Sequence, residues 1–300
     1  MIVTVAHDHF FIAASLASAL TRRPLVLIVH DDWVAGVRRT SYLLKYFSAP
    51  LFKLISRRAS HVYAVSPQMQ SMLKQKFGVE AELQLPATEP WEGISRDESA
   101  NREGSNHESR QILYAGNATG AMEDSLDLLV EFIKNQQPAH DDERDWELDL
   151  FIPRDEGWIN RKGWNDPRIR VHGWVTQAEL QSAISQSDIV FLPFSFRDEE
   201  RSATEGSFPS KTSDYLASEK PILILAPAYS TIVRYAREFE CAEIVDQPNL
   251  KLLGQALQHL RASKQRRLEL SSNSRKVFLQ NHDIRRQRIS FARLVASLAY

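Results

Sequence analysis

The chain has 300 residues, enough for two domains of ordinary size, and its net charge is -1. A composition of 43% hydrophobic and 25% charged residues is typical of a globular protein, and the near-neutral charge excludes a general nucleic-acid binder. The single cysteine, Cys241, excludes an internal disulfide bond and a thiolate-rich metal site, which fits a reducing compartment. No basic leader and no apolar run of bilayer length occur, so we expect a cytoplasmic protein.

The first part of the chain alternates apolar runs with helical segments, which is the pattern of an α/β domain. Strands are predicted at residues 2–6, 24–30, 61–65 and 82–85, and helices at 10–20, 39–58 and 67–77. The run at 24–30 is apolar throughout, as expected for a strand that helices cover on both faces. Ser66 is the expected N-cap of the third helix and Gly78 its expected end, and the long second helical region is expected to be kinked or broken near Pro50.

A polar stretch at 91–110, rich in charged residues, Ser, Asn and Gly, separates this part from a second one with the same pattern. Strands are predicted there at 111–115, 147–152, 169–172, 189–193, 222–225 and 242–245. Helices are predicted at 125–135, 177–186, 211–218 and 230–239, followed by two more from Leu250 and from Ser263.

Together these elements predict an α/β fold of two Rossmann-like, doubly wound domains that face each other across a cleft. We expect the first domain at 1–90, a linker at 91–110 and the second domain at 111–275. A C-terminal helix at 276–300 is expected to pack back on the first domain. In such folds ligands bind beyond the carboxyl ends of the strands.

The segment 208–221, FPSKTSDYLASEKP, brings a lysine and a carboxylate together at the start of a predicted helix. A helix N-terminus presents unpaired N–H groups that attract phosphate, and Lys211 adds a full positive charge there. Asp214 lies one turn further on the same face, where its carboxylate can accept hydrogen bonds from sugar hydroxyls. Ser210 is the expected N-cap. This combination predicts a site for a sugar nucleotide.

Several segments resemble the GT-B glycosyltransferases of family 4. The stretches GWVTQAELQSAISQSDIVFLPF (173–194) and FPSKTSDYLASEKPILILAP (208–227) resemble the C-terminal domain of that family, and residues 25–33 and 63–79 resemble units of its N-terminal domain. The resemblance implies a nucleotide sugar held mainly by the C-terminal domain and an acceptor held mainly by the other. It also implies a reaction without a cofactor or a bound metal, with retention of the anomeric configuration in most members.

The resemblance assigns roles to three residues. Asp214 stands where the family has a helix glutamate that binds the donor ribose, and Lys211 matches a lysine of the same motif. His30 ends the second strand, where the family often has a histidine that contacts the transferred sugar, so it is the catalytic candidate. For each residue, an ordinary surface or structural role is the alternative.

Further candidates follow strand ends, because the carboxyl ends of parallel strands share one edge of a sheet. On the acceptor side these are His7, His9, Asp31 and Asp32. On the donor side, Gly116 permits close approach of the backbone to a phosphate, and Arg154 can bind a diphosphate in bidentate fashion. No partner cluster accompanies the HDD triplet at 30–32, so no metal site is predicted.

Three features depart from the family pattern. The Arg and Lys pair expected after the first strand of the second domain is replaced by GNATGAMED (116–124), which shifts diphosphate binding to Lys211, Arg154 and backbone amides. Glu219 replaces the usual glycine before Lys220. Met1 enters at what resembles a strand from the middle of the first domain, so we expect an incomplete N-terminal domain.

Together with the resemblance, these residues predict an enzyme that transfers a hexosyl group from a nucleoside diphosphate donor to a hydroxyl of a glycan or lipid-linked acceptor, in surface polysaccharide synthesis. Two alternatives stay open: a non-catalytic GT-B-like binding or partner protein, and a sugar-nucleotide epimerase. Residues 38–58 combine apolar and basic side chains, which suits contact with the inner face of an anionic plasma membrane. A core-packed helix with a solvated basic face explains that pattern as well.

Overall fold

The computed structural model describes residues 1–6, 10–40, 46–91, 111–136 and 146–298, with the backbone alone at 38–40. Two parallel sheets organise these residues, one of four strands and one of six. Helices connect consecutive strands in both, so the predicted α/β architecture is confirmed. His7, His9 and all of the predicted linker after Trp91 lie outside the described residues. Within the described ranges, no helix is long and apolar enough to cross a bilayer.

The first sheet lies in chain order, and every strand pair in it is parallel. Its strands are β1 (Ile2–Val5), β2 (Leu25–Val29), β3 (His61–Ala64) and β4 (Glu82–Leu83). Its helices are α1 (Phe10–Thr21), α2 (Trp33–Thr40), α3 (Ser48–Arg58) and α4 (Pro67–Met72), which continues as a π-helical turn over Leu73–Phe77. An aromatic cluster joins these helices: the rings of Phe11 and Trp33 lie 4.8 Å apart, and those of Phe52 and Phe77 lie 4.9 Å apart.

The helix signals in this part act as predicted. Ser66 caps α4 by accepting a hydrogen bond from the Met69 N–H at 2.9 Å, and Gly78 ends the π-helical turn with a φ of 63°. The predicted helical region at 39–58 is divided between α2 and α3, and α3 begins two residues before Pro50. Pro50 lies in the first turn of α3, where its missing N–H costs no helical hydrogen bond.

The second sheet has the order β10-β9-β8-β5-β6-β7. Its strands are β5 (Gln111–Ala115), β6 (Glu147–Phe151), β7 (Ile169–Val171), β8 (Ile189–Pro193), β9 (Ile222–Leu225) and β10 (Glu243–Val245). The order reverses between β5 and β8, which makes the sheet doubly wound and places a crevice at the carboxyl ends of these two strands.

The helices of the second part include two that the sequence analysis did not predict, α6 and α8. The full set is α5 (Glu123–Asn135), α6 (Glu156–Lys162), α7 (Gln177–Gln186), α8 (Arg201–Gly206), α9 (Lys211–Ala217), α10 (Thr231–Phe239), α11 (Leu250–Ala262), α12 (Lys264–Val277) with a π-helical turn over Phe278–His282, and α13 (Ile284–Leu298). The signals for α6 were present in the sequence. Asp155 accepts a hydrogen bond from the Trp158 N–H at 2.7 Å, and Gly163 ends the helix with a φ of 66°.

The chain passes between the two sheets twice, and the two passages are hydrogen-bonded to each other. The Thr88 N–H donates to the His282 carbonyl at 3.0 Å, and the Ile284 N–H donates to the Thr88 carbonyl at 3.1 Å. After this point α13 runs along the first domain, where Gln287 donates to the Leu85 carbonyl at 2.7 Å. The residues around 86–89, which we call the crossing segment, therefore connect the two domains.

Candidate functional site

A cavity of about 480 Å³ opens beside the crossing segment. Its walls come from the crossing segment, from the start of α7 and from the start of α9. The lining residues are Pro86, Ala87, Thr88, Glu89, Gln177, Gln181, Ser210, Lys211, Ser213 and Asp214. The volume suits a ligand of nucleotide size, since small-molecule sites range from about 300 to 1,000 Å³. Three of the predicted donor residues therefore share one cavity: Ser210, Lys211 and Asp214.

Asp214 is the most deeply buried charged group of this cavity, with 8% of its surface exposed. Burial raises the pKa of the Asp214 carboxyl above its ordinary value, and this effect outweighs the charge of Lys211 and hydrogen bonds from Thr88 and Gln177. The Gln177 amide donates to one carboxylate oxygen at 3.4 Å, and Lys211 lies 4.0 Å from the other. These contacts are long, so the carboxylate retains capacity to accept stronger hydrogen bonds from a ligand.

The start of α9 differs from the prediction in one respect. Ser210 occupies the N-cap position, but its side chain makes no capping hydrogen bond. The helical turn already begins one residue earlier, because the Thr212 N–H donates to the Pro209 carbonyl at 3.0 Å, so Ser210 has helical dihedral angles. Because α9 has only seven residues, the Lys211 charge is a stronger attraction for a phosphate here than the helix dipole.

The histidine and aspartates at the end of β2 lie at the contact between the two domains. Asp31 accepts a hydrogen bond from the Ser207 hydroxyl at 2.6 Å, which ties the end of β2 to the segment just before α9. Asp32 caps α2 by accepting from the Ala35 N–H at 3.0 Å. His30 is exposed and immediately precedes them. Asp31 and Asp32 thus both have structural roles, whereas His30 faces solvent at the domain contact.

Gly116 and Arg154 lie on a different part of the sheet edge and do not line the cavity of Asp214. The Gly116 N–H already donates to the Phe151 carbonyl at 3.1 Å. Arg154 donates to Thr119 at 3.3 Å, and its Nε is buried without a hydrogen-bond partner among the described residues. Arg154 lines a second cavity of about 320 Å³, together with Val171. The predicted donor set is therefore divided between two places.

Thr88 and Gln177 contribute to the site, and the sequence analysis missed both. Gln177 begins α7, whose Thr176 forms a reciprocal capping box with Glu179, so its position follows from a helix-start signal that is visible in the sequence. Thr88 follows a two-residue strand and carries no motif. Its approach to Asp214 depends on where the chain crosses between the domains, which local sequence does not encode.

A buried histidine, His282, is hydrogen-bonded to the crossing segment. The Nδ1 of His282 lies 2.6 Å from the Pro86 carbonyl oxygen, and its Nε2 lies 2.9 Å from the Tyr235 hydroxyl. A carbonyl only accepts, so Nδ1 carries the proton and the neutral ring accepts at Nε2 from Tyr235. The Tyr235 oxygen in turn accepts from the Asn281 amide at 2.9 Å. We call this series of hydrogen bonds, from Asn281 through Tyr235 and His282 to Pro86, the His282 chain.

The His282 chain predicts a specific loss of stability in acid. Burial lowers the pKa of His282 to about 4 from an ordinary 6.5, although the Pro86 carbonyl opposes this. The unfolded chain therefore binds a proton between these pH values while the folded chain does not, so stability falls as the pH falls through this window. We expect this group to contribute a loss of about 3 kcal/mol. Denaturant unfolding of wild type and of His282→Gln at several pH values measures this loss. The difference between their free energies of unfolding should shrink by about 3 kcal/mol as the pH falls through the window. A difference that does not change with pH would contradict the prediction.

Two α/β domains that are each built on a parallel sheet, a C-terminal helix that returns to the first domain and a cavity beside the crossing segment define the GT-B class of fold. The sequence profile of Glycosyltransferase Family 4 matches residues 2–84, which is the whole first sheet. No curated protein sequence matches the chain.

Solved structures of GT-B enzymes match almost the entire chain. HepE of Anabaena, in complex with UDP, is 15% identical with a TM-score of 0.70, over 99% of this chain and 79% of that one. Sucrose-phosphate synthase from Thermosynechococcus elongatus is 16% identical with a TM-score of 0.70, over 95% and 71%. An α,α-trehalose-phosphate synthase (UDP-forming) from Burkholderia vietnamiensis is 10% identical with a TM-score of 0.68, over 99% and 74%. The chain therefore has a glycosyltransferase-type GT-B fold.

Proposed function

We propose that the protein is a glycosyltransferase that uses a nucleoside diphosphate sugar as donor and a hydroxyl of a glycan or lipid-linked molecule as acceptor. The observation that carries the proposal is the Lys211 and Asp214 pair in the cavity beside the crossing segment. A buried carboxylate with weak protein contacts suits ribose hydroxyls, and an adjacent ammonium suits a diphosphate. Both groups belong to the second domain, on the side where the crossing segment closes the cavity.

The proposed mechanism is electrostatic. Departure of the sugar leaves negative charge on the diphosphate, and a positive group held near it in advance lowers the barrier. Lys211 supplies that charge in this proposal, so no metal ion is needed at the leaving group. His30, at the facing end of β2, contacts the transferred sugar or its acceptor. We propose a hexosyl transfer with retention of configuration, the outcome that the family resemblance implies.

Uridine nucleotides are the first donors to test, because HepE has been solved with UDP and with UDP-glucose. A thermal-shift series with UDP, GDP, ADP and TDP, and with their glucose conjugates, should raise the unfolding temperature for one base in preference to the others. Release of the nucleoside diphosphate, followed with and without candidate acceptors, then tests turnover. The proposal fails if no nucleotide stabilises the protein.

One observation favours a second candidate, a GT-B-like protein that binds a nucleotide sugar without transferring it. Arg154, the second cation predicted to bind the diphosphate, donates to Asn117 and Thr119 and lines a different cavity from Lys211. A site with less positive charge for the leaving group binds a donor more readily than it cleaves one. Saturable binding of a nucleotide sugar without release of the nucleoside diphosphate, in the presence of acceptors, would favour this candidate.

We further propose that the enzyme works at the inner face of the plasma membrane, in surface polysaccharide synthesis, and that α3 contacts the lipid. Phe47, just before α3, is 67% exposed and Leu54 within it is 54% exposed. The exposed Lys53 and Arg58 lie on the same helix. Apolar side chains flanked by basic ones are the pattern of helices that rest on anionic lipid.

Replacing both Phe47 and Leu54 with serine should therefore weaken binding to anionic phosphatidylglycerol vesicles by about tenfold or more. Vesicle co-sedimentation at increasing salt measures the effect. The matched control is Leu268→Ser, which removes a leucine of the second domain that is 56% exposed. An equal loss of vesicle binding in the double variant and in Leu268→Ser, or no vesicle binding by wild type, would overturn the membrane proposal.

A further inference from the structure

The crossing segment is held from both sides, once by the His282 chain and once by the donor cavity. On one side the Pro86 carbonyl accepts from His282, and the Thr88 N–H donates to the His282 carbonyl. On the other side Pro86 and Thr88 line the cavity that also contains the Asp214 carboxylate. A displacement of this segment of less than one bond length would therefore alter the wall that faces a ligand.

The proton on the His282 ring decides whether the Pro86 contact is attractive. With the proton on Nδ1, the ring donates to the Pro86 carbonyl; with the proton on Nε2, two lone pairs face each other there. The Pro86 carbonyl can only accept and so requires the first tautomer, and Tyr235 stabilises that tautomer because its hydroxyl donates to Nε2 at 2.9 Å. His282 is completely buried and Tyr235 is 5% exposed, so water does not substitute for either partner.

We infer that the His282 chain is a positioning device for the donor cavity: Tyr235, through the tautomer of His282, holds the crossing segment against Asp214 and thereby sets the affinity for the donor. Neither Tyr235 nor His282 lines the cavity, so both act on it indirectly, through Pro86. The inference rests on the proposed function, since it concerns the affinity of the same site for a nucleotide.

Tyr235→Phe is the variant that isolates this effect. It keeps the ring, which packs 5.1 Å from Phe208 and 4.6 Å from Phe239, and removes only the hydroxyl that stabilises the tautomer. Ser274→Ala is the matched control: it removes a buried hydroxyl that donates to the Cys241 carbonyl at 3.1 Å, in the same core but away from the crossing. Tyr235→Phe loses two hydrogen bonds, to His282 and from Asn281, and Ser274→Ala loses one, so both variants should be destabilised, Tyr235→Phe somewhat more.

The experiment measures two quantities in wild type and in each variant. Calorimetry gives the affinity for UDP, or for whichever nucleotide of the panel wild type binds, and hydrogen exchange reports on the Thr88 amide. Tyr235→Phe should weaken binding by at least about fivefold and speed exchange at Thr88, whereas Ser274→Ala should change neither. Unchanged affinity in Tyr235→Phe, or an equal loss in both variants, overturns the inference alone. Absence of nucleotide binding in wild type overturns the proposed function, and the inference with it.

Discussion

Replacing Asp214 with asparagine is expected to weaken donor binding by about 10- to 100-fold while leaving the folded protein at least as stable as wild type. Asparagine keeps the size of the side chain and one accepting oxygen, but it removes the charge and the second acceptor. In our proposal that carboxylate accepts hydrogen bonds from the ribose. Calorimetric titration with the bound nucleotide and thermal unfolding near neutral pH measure the two effects.

The stability half of this prediction follows from the direction of the pKa shift. Burial raises the pKa of Asp214 in the folded state, so the ionised carboxylate costs folding free energy at every pH above that value. The cost disappears as the pH falls below it. Asparagine carries no charge and removes the cost at neutral pH. A carboxylate kept at a destabilising position is what a binding role explains and a structural role does not.

Asp149 provides a matched control with the opposite sign. It is 2% exposed, and although burial alone would raise its pKa, hydrogen bonds from Arg170, His172 and Gln111 hold the pKa of this carboxyl below its usual range. It therefore stabilises the fold above its unfolded pKa, and that contribution is lost as the pH falls through the lower folded value. Asp149→Asn should lower the unfolding temperature and leave donor affinity unchanged. A fall in both temperature and affinity for Asp214→Asn would instead mark Asp214 as a structural residue.

Replacing Lys211 with methionine is expected to weaken binding of a nucleoside diphosphate by about 10- to 100-fold, and binding of the nucleoside alone much less. The side chain is 33% exposed, so methionine is accommodated without a cavity. The difference between the two ligands isolates the phosphate contact, because the nucleoside reports on the rest of the pocket. Lys251→Met, at an exposed position on α11, is the control for loss of one positive charge.

A second effect of Lys211 must be separated from the first. Its charge lowers the pKa of Asp214, so its removal should raise that pKa further and make the carboxylate harder to ionise. Lys211→Arg keeps the charge and should retain most of the affinity for the diphosphate. If methionine weakens the nucleoside and the diphosphate equally, Lys211 acts only through Asp214, and the phosphate contact in our proposal is wrong.

Most of the fold was predictable, because local signals and global topology agree over most of the chain. The short apolar runs at β2, β8 and β9 are typical of buried parallel strands, and Ser66 and Gly78 mark helix ends by their own chemistry. Pro50 marks the start of α3, because proline fits a first helical turn and not a helix interior. Glu219 departs from local preference: its φ of 57° is a position that glycine usually fills, and Arg275 pairs with its side chain.

The site was predictable only where it lies within one element. Lys211 and Asp214 share a helical turn, so their spacing alone brought them together. Arg154 and Gly116 follow neighbouring strands of the same sheet, and the sequence could not tell that neither lines the cavity of Asp214 and that Arg154 lines a different one. Thr88 reaches Asp214, and His282 reaches Pro86 from 196 residues away, only because the chain crosses twice at one point. Such contacts depend on the relative placement of two domains.

The central claim is that the Lys211 and Asp214 cavity holds a nucleotide sugar. Its most direct test is calorimetric titration of wild type, Asp214→Asn and Asp149→Asn with UDP-glucose and its GDP, ADP and TDP counterparts. We expect wild type to bind one of these donors, Asp149→Asn to bind it equally well, and Asp214→Asn to bind it at least about tenfold more weakly. Equal binding by wild type and Asp214→Asn, or no binding of any donor by wild type, would contradict the claim.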